Sequence, residues 1–454
     1  MLTSSSRQFG GPEVKNRRES LRESCTRADD SGHTSIRKLL DLSRAPQFNR
    51  PLEDSPRVHW LTKTRKADPT MPAVARWTSS FTSSRAAKQI VASQPRKRSI
   101  NMNIRRFSSL CLLSASLLVA SSAHAQDEDV TDVTANVAPT PLTLINGWFN
   151  YPNGTAPAQI EKVGGIVHFK GAIRTTGSSA YPFVLPAAFR PAKFVWLPVD
   201  MSNAQNGRLI ISPSGVVEVE AEQSFSNAQG FTSLDGVSFA ASTSGFTPLT
   251  LINGWTTTPY GTGKPEVKLI NGVVHFAGAI STTGSDSFPF VLPANFRPSH
   301  NVYIKLDMCD GTNGSLFITP SGLVSVKAEN SFSNAQCLTS LDGAWFAKTE
   351  SGFTALSPVN GWVESEFNTS PPEAASIGGI VHFTGSLSSG SSTTVFYLPT
   401  YLTPSTYVFV PVDLCGATNG RLIIYPTGAV LVQAETNFSN AVCFTSLDGV
   451  SFVR

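Results

Sequence analysis

One unit of about 107 residues occurs three times in this chain. LTLINGW at 142–148 returns unchanged at 249–255 and, as LSPVNGW, at 356–362. GIVHF at 165–169 and TSLDGVSF at 232–239 return with the same spacing. Solenoid repeats are about 20 to 50 residues long and cannot bury a core singly, whereas a unit of this length is a complete small domain. The sequence therefore predicts three tandem domains.

The predicted boundaries follow from the repeat and from the composition before it. Linkers of nine residues, at 240–248 and 347–355, are too short to separate the domains, which must be neighbours in space. The predicted parts are a basic leader (1–101), a signal peptide (102–125), an acidic flexible spacer (126–141), copy 1 (142–239), copy 2 (249–346) and copy 3 (356–454).

Charge is divided unevenly along the chain, so the net charge of +4 is an average of two unlike regions. Residues 1–106 hold 22 Lys and Arg against 9 Asp and Glu, which leaves 14 against 23 in residues 107–454. The repeat region is therefore acidic, and we expect no nucleic-acid partner for it.

The leader has scattered Arg, Ser and Pro and no sustained apolar period, which is typical of disorder. A basic arm, a transit peptide, or translation that starts only at Met102 would each explain it, and the last is favoured. From Met102 the chain has two arginines, an apolar run and the small-x-small sequence that ends at Ala125, which is the pattern of a secretory signal peptide. The alternative is a signal anchor, because 107–126 carries no charge. We expect a secreted, periplasmic or cell-surface protein without a membrane span after processing.

Each copy has the pattern of strands and turns, with no helical period. In LIISPSGVVEVEAE at 209–222, apolar and acidic residues alternate after Gly215, which predicts a β-hairpin with one buried face. Asn-Gly at 206–207 and Asp-Gly at 235–236, with their repeats, predict tight turns. The fold class is therefore all-β, with an antiparallel β-sandwich of jelly-roll type in each copy.

The cysteines of the repeats occur in pairs. Cys25 and Cys111 precede the predicted mature chain, and the remaining cysteines form two pairs with 28 residues between partners. Copy 1 has Ser202 and Gly230 at the two positions, so the cysteines are present together or absent together. This predicts the disulfides Cys309–Cys337 and Cys415–Cys443, with reduced core thiols as the alternative. No CxxC or nearby His completes a zinc site.

Two aromatic residue types recur at fixed places and are weak candidates for a ligand site. The tryptophans of NGW are either a platform for sugar stacking or core residues, and the histidines of VHF are either a metal or catalytic set or structural residues at a contact between domains. A threefold histidine site would require the copies to surround an axis. The residues are Trp148, Trp255 and Trp362, and His168, His275 and His382.

Recurring carboxylates suggest a glycosidase or a calcium site, but each aspartate of SLDG is explained as the first residue of a turn. The sequence has no DxDxDG, GxSxG, HExxH, P-loop or GxGxxG. We therefore expect neither an enzyme nor a bound cofactor or metal. The residues concerned are Asp235, Asp342 and Asp448, and Glu222, Glu329 and Glu435.

The order GW, VHFxGxI, PFVLPxxFRP (182–191 and 289–298), NGRLII, PSGxV and SLDGVSF resembles the C-terminal receptor-binding modules of bacteriophage tail fibres and baseplates. The resemblance covers most of 142–454 and implies β-sandwiches, often trimeric, that bind cell-surface saccharides or proteins. The chain departs from that pattern in having a signal peptide, three modules in one polypeptide, and YLTP at 401–404 in place of FRP. Three linked modules would imitate the trimer.

These observations predict a secreted adhesion or carbohydrate-binding protein whose partner is a cell-surface glycan or protein receptor. The alternative is a structural envelope or matrix protein whose modules self-associate. A hydrolase is a distant third hypothesis.

Overall fold

The computed structural model describes residues 137–364 and 367–454. The predicted leader, the signal peptide with its cleavage after Ala125, and the first eleven residues of the spacer lie outside the described residues, as do Cys25 and Cys111. The described part is all-β with antiparallel sheets, as predicted. No helix in this part has the length and apolar character needed to cross a membrane.

Copy 1 folds into three antiparallel sheets with the strand orders β1-β3-β4-β10, β2-β5-β9 and β6-β7-β8. Helix α1 lies between β8 and β9. The elements are β1 (Val137–Pro141), β2 (Trp148–Asn150), β3 (Gln159–Val163), β4 (Ile166–Lys170), β5 (Ala172–Thr175), β6 (Val195–Asp200), β7 (Asn206–Ile211), β8 (Val217–Ala221), α1 (Phe225–Gly230), β9 (Thr232–Ser233) and β10 (Ser238–Ala240).

Copy 2 repeats this topology with the orders β11-β13-β14-β20, β12-β15-β19 and β16-β17-β18. The elements are β11 (Thr247–Pro248), β12 (Trp255–Thr257), β13 (Glu266–Ile270), β14 (Val273–Ala277), β15 (Ala279–Thr282), β16 (Val302–Asp307), β17 (Asn313–Ile318), β18 (Val324–Ala328), α2 (Phe332–Cys337), β19 (Thr339–Ser340) and β20 (Trp345–Ala347).

In copy 3 the second and third sheets form a single seven-stranded sheet. They are joined because Leu414 of β27 pairs with Thr445 of β30. The elements are β21 (Thr354–Ala355), β22 (Val363–Glu364), β23 (Glu373–Ile377), β24 (Ile380–Thr384), β25 (Ser386–Ser388), β26 (Thr394–Tyr397), β27 (Val408–Leu414), β28 (Thr418–Ile424), β29 (Ala429–Ala434), α3 (Phe438–Cys443), β30 (Thr445–Ser446) and β31 (Ser451–Val453).

Each copy has a hydrophobic core of its own, to which all its sheets contribute. In copy 1, Phe169 packs against Phe183 and Phe239 with ring centroids 6.2 Å apart in both pairs. Alternate residues of the predicted hairpin, Val217 and Val219, point into this core and are fully buried. The period-2 pattern in the sequence thus corresponds to the buried face of β8.

The recurring tryptophans are core residues and not an exposed platform. Trp148 is 4% exposed, its indole Nε1 donates to the Ser179 carbonyl at 2.8 Å, and its ring meets Phe225 of α1 edge to face. Trp255 and Trp362 are buried in the same way. The stacking hypothesis for these three side chains is therefore wrong, because sugar stacking requires an exposed ring face.

The arginine of the FRP motif also has a structural role. Arg190 Nε donates to the Leu185 carbonyl at 2.8 Å, and Arg297 does the same to Leu292 at 2.9 Å. Thr403 takes this place in copy 3. The motif therefore closes a loop within each of the first two copies.

Three expectations from the sequence are wrong. The end of the predicted flexible spacer is strand β1, which pairs with β3; its two prolines fit an edge strand, which need not donate every N–H. The sequence predicts only strands and turns, but Phe225–Gly230 is a short helix, which Ser224 caps by accepting from Ser226 N. A helix of six residues is too short to show a 3.6-residue period.

The third correction concerns Asn206–Gly207, which opens strand β7 instead of forming a turn. Gly207 is required there because the Met201 side chain packs against its Cα, where an added Cβ would overlap it. The repeats at 313–314 and 419–420 also lie in strands, and there Met308 and Leu414 pack against Gly314 and Gly420. Asp235–Gly236 does form a turn, with Gly236 at φ +80°.

Candidate functional site

The three copies belong to one compact unit and surround a common axis. One strand from each copy lines this axis, and β6, β16 and β27 contact one another. A ring of equivalent hydrogen bonds closes the arrangement, since each serine hydroxyl donates at 2.6 Å to a carbonyl of the next copy. The pairs are Ser233 to Phe409, Ser340 to Trp196, and Ser446 to Tyr303. Copy 3 therefore contacts copy 1 as directly as copies 1 and 2 contact each other.

A second ring consists of three buried asparagine side chains. They lie near the start of β7, β17 and β28, the strands that follow the axial strands β6, β16 and β27. Each Nδ2 donates to a carbonyl of the neighbouring copy at 2.6 to 2.7 Å. The pairs are Asn206 to Gly311, Asn313 to Ala417, and Asn419 to Ala204. The neighbouring carbonyls lie in strained turns, with Ala204 and Ala417 at φ +59° and +65°. These asparagines thus fix the register between copies.

Buried ion pairs join two of the three interfaces. Arg421 Nη1 of copy 3 lies 3.0 Å from Asp200 of copy 1, and Arg208 Nη1 of copy 1 lies 3.6 Å from Asp307 of copy 2. Burial raises the pKa of Asp200 to about 6 and that of Asp307 to about 7, and the arginines oppose this rise. Removing either arginine would leave a buried carboxyl without its partner.

The third interface uses a different cation. The position of Arg208 and Arg421 is Ser315 in copy 2, and the cation comes from Lys305, where the other copies have proline. Lys305 is buried, and its Nζ donates to Asn419 Oδ1 at 2.7 Å and to Asn313 Oδ1. Burial raises the pKa of the nearby Asp413 carboxyl to about 8, which the positive charge of Lys305 opposes. Each of the three interfaces therefore has one basic side chain for its buried aspartate, which is Asp200, Asp307 or Asp413.

The recurring histidines lie at the contacts between copies, the structural position that the sequence offered as the alternative to a metal or catalytic set. His168, His275 and His382 are 4 to 7% exposed. The His382 ring of copy 3 meets Trp345 of copy 2 edge to face at 4.7 Å. Burial lowers the pKa of His168 to about 3 and that of His382 to about 4, and proximity of the rings to one another lowers the pKa of His168 further.

Among residues 137–364 and 367–454, no group of three His, Cys, Asp or Glu side chains is placed to hold a metal ion. The three histidines are buried at the interfaces, where burial lowers their pKa values and keeps them neutral. The geometry therefore supports a structural role for the three histidines.

The aspartates of SLDG hold their turns against the glycine that follows the VHF strand of the same copy. Each carboxylate Oδ1 accepts a backbone amide, and burial raises the pKa of each to about 7. The pairs are Asp235 with Gly171 N, Asp342 with Gly278 N, and Asp448 with Gly385 N, at 2.8, 2.7 and 3.2 Å. Their turn role is sufficient to explain their recurrence.

The glycine after each of these aspartates lies against a neighbouring copy. Gly449 has φ +77°, and an added Cβ would be 2.8 Å from Ile304 Cγ2 of copy 2. A Cβ added at Gly236 would be 2.8 Å from Val410 of copy 3, and one added at Gly343 would be 2.8 Å from Leu197 of copy 1. These positions need glycine for the left-handed backbone and also for the approach of the next copy.

Replacing Gly449 by alanine is expected to lower the free energy of unfolding by about 3 kcal/mol, from backbone strain and overpacking together. Gly272→Ala is the matched control, because Gly272 has φ +82° with nothing within 4 Å of an added Cβ. It should cost only about 1 kcal/mol. Urea denaturation of both variants measures the difference, and equal losses would show that the copies do not meet at Gly449.

The axis itself encloses a cavity of about 30 Å³ between Leu197, Ile304, Val410 and neighbouring residues of all three copies. This volume holds about two water molecules. This space is therefore too small for a saccharide or another organic ligand.

Both predicted disulfides are confirmed. Cys309–Cys337 and Cys415–Cys443 have Cα separations of 5.8 and 5.6 Å, within the usual range. Each links the turn after the first axial strand to the end of the short helix. Disulfides indicate an oxidising, extracytoplasmic environment.

Copy 1 is expected to accept a third disulfide when Ser202 and Gly230 are both changed to cysteine. A Cβ added at Gly230 would lie directly against Ser202 Oγ, so the two side chains are already positioned to meet. Closing the loop should raise stability by roughly 1 to 4 kcal/mol. Thiol titration and thermal unfolding with and without reductant test this. Free thiols in the folded double variant would contradict the equivalence of the copies.

Comparison of this chain with protein-family models, with curated proteins and with solved structures gives no match. The fold and the interfaces between copies therefore carry the functional argument.

Proposed function

We propose that this protein is a secreted or surface-exposed binding protein. In this proposal, three β-sandwich copies around one axis present repeated surfaces to a cell-surface glycan or protein receptor. The closed ring of contacts between copies carries the proposal, because it holds three related outer surfaces in a fixed arrangement. Rigid presentation of several sites raises avidity without any new contact. The similarity to the often trimeric tail-fibre modules supports the same conclusion.

The oxidising environment indicated by the disulfides agrees with action outside the cytoplasm. The polar groups between copies are already paired with one another. Buried aspartates and asparagines bond across the interfaces, so the outer surfaces are the part left for recognition.

A printed glycan array, probed with the purified protein at low and high glycan density, tests the proposal. Saturable binding to a defined set of sugars, with slower dissociation at high density, is the expected result. A blank array from folded protein would refute glycan recognition and favour either a protein receptor or the second candidate.

That second candidate is a structural envelope or matrix protein that self-associates. It is favoured by the burial of the tryptophans and by apolar residues that recur on the outer surface of each copy. Val184, Val291 and Tyr397 occupy one equivalent position and are 43, 45 and 57% exposed. Concentration-dependent assembly in analytical ultracentrifugation, together with a blank array, would support this function.

A further inference from the structure

An open groove of about 470 Å³ lies on the outer surface of copy 2, between α2 and strands β12 and β15. Its lining is uncharged and consists of hydroxyl and amide side chains together with the disulfide-bonded Cys337. Thr256 Oγ1 lies 3.1 Å from Ser281 Oγ, and Gln336 Nε2 donates to the Gly284 carbonyl at 2.6 Å. The lining is formed by Thr256, Ser281, Thr282, Thr283, Ser333, Gln336 and Cys337.

The same cross-strand position differs in the other copies. Thr256 pairs with Ser281 in copy 2, whereas the matching pair in copy 1 is Phe149 with Arg174, whose guanidinium lies 5.5 Å from the ring centroid. Large side chains thus occupy in copy 1 the place that is open in copy 2. In copy 3 the pair is Val363 with Ser388, and valine replaces the glutamine of the helix. The hydroxyl-lined groove is therefore a property of copy 2.

An exposed aromatic ring stands beside this groove. Tyr260 is 57% exposed, and its hydroxyl lies 3.1 Å from Cys337 Sγ in the groove lining. Its ring stacks on Trp196 of copy 1, with centroids 5.6 Å apart and 28° between the planes. Copy 1 has Asn153 at this position. The interface between copies thus holds an aromatic side chain next to a row of hydroxyl groups.

We propose that this groove binds a neutral saccharide, with Tyr260 packing on the apolar face of the sugar and the hydroxyl and amide groups of copy 2 bonding its hydroxyls. The volume fits a mono- or disaccharide-sized ligand. Neutral sugars are favoured over acidic ones because none of the lining side chains is charged. This inference rests on the proposed binding function and adds to the repeated outer surfaces one saccharide site that is specific to copy 2.

The test uses the full secreted chain on a printed array of neutral and sialylated oligosaccharides. Thr256→Phe combined with Ser281→Arg transfers the copy 1 pair into the groove and is expected to reduce the signal of the strongest neutral glycan at least tenfold. Tyr260→Ala should produce a similar loss. Tyr260→Phe, which keeps the ring, should stay within threefold of the wild type. Equal thermal midpoints establish that the variants are folded.

Val363→Phe, at the exposed position of copy 3 that corresponds to Thr256, is the control and should leave binding within twofold; Ser388 is left unchanged because it is buried. If the wild type binds neutral glycans and the groove-filled variant binds them equally well, the site is wrong while the proposed function stands. A wild type that binds only sialylated glycans also overturns the site. A blank array from folded wild type overturns both the site and glycan recognition.

Discussion

Replacing Lys305 by methionine is expected to lower the free energy of unfolding by about 3 kcal/mol. The change removes the two hydrogen bonds that Nζ donates to Asn313 and Asn419, and with them the positive charge that acts most strongly on the buried Asp413. Leaving buried acceptors and a carboxyl without their partner costs several kcal/mol, more than the added apolar packing returns. Denaturant unfolding measures the loss. Lys193→Met, on the exposed surface, is the control and should change stability by less than about 0.5 kcal/mol.

A compensating variant distinguishes loss of the cation from a general packing defect. Arg421 of copy 3 is braced by Gln433, which accepts from its Nε and Nη2 at 3.1 and 2.8 Å. Lys305→Pro, Ser315→Arg and Lys327→Gln together transfer this set into copy 2. The triple variant should recover at least half of the loss seen with Lys305→Met. A Lys305→Met variant as stable as the wild type, or a triple variant no better than it, would contradict this account of the third interface.

Changing His168 to phenylalanine is expected to make the protein less sensitive to acid. The native pKa of about 3 lies below the value of 6.5 for an unperturbed imidazole, so the unfolded chain binds the proton first as the pH falls. Wild-type stability relative to the variant should therefore be constant above pH 6.5 and decline between pH 6.5 and about 3. The decline is about 1.4 kcal/mol per pH unit, or roughly 2.7 kcal/mol at pH 4.5.

The comparison with the variant is needed because the buried aspartates act in the opposite direction. Their native pKa values are raised, so the folded state takes up their protons first and gains stability as the pH falls from about 7 towards 4. These contributions are common to both proteins and cancel in the difference. For His382→Phe the relative loss should level off near pH 4, where that imidazole titrates. A difference that stays flat from pH 7 to pH 3.5 would show that His168 is not buried at an interface.

The repeat made several features predictable from the sequence. Comparing three copies showed that the cysteines vary in pairs, which is sufficient to assign both disulfides. Strand alternation puts His168 on the face opposite Val167 and Phe169, but it leaves open whether that face is half-exposed or meets another copy. The same comparison also contains a signal that the sequence reasoning missed. Lys305 stands where the other copies have proline, and Ser315 stands where they have arginine.

Other features depend on contacts between copies that no pattern within one copy specifies. Asn206–Gly207 has the composition of a turn, but it lies in a strand because Met201 and the neighbouring Gly311 carbonyl determine its environment. Trp148 could be placed in the core only when the Ser179 carbonyl and Phe225 were known to surround it. The groove of copy 2 depends on which side chains occupy two facing strands. The groove can therefore be identified from the structure but not from the repeated sequence.

The contact between copies 1 and 3 tests the closed ring most directly, because a linear array of three domains would lack it. Gln223 of copy 1 donates to Glu435 of copy 3 at 3.0 Å, and both lie near the surface. In the variant Gln223→Cys with Glu435→Cys, a short bis-maleimide should link the two residues within one molecule. Mass spectrometry of the tryptic peptides would identify the link. Labelling of both cysteines without an intramolecular link would contradict the ring.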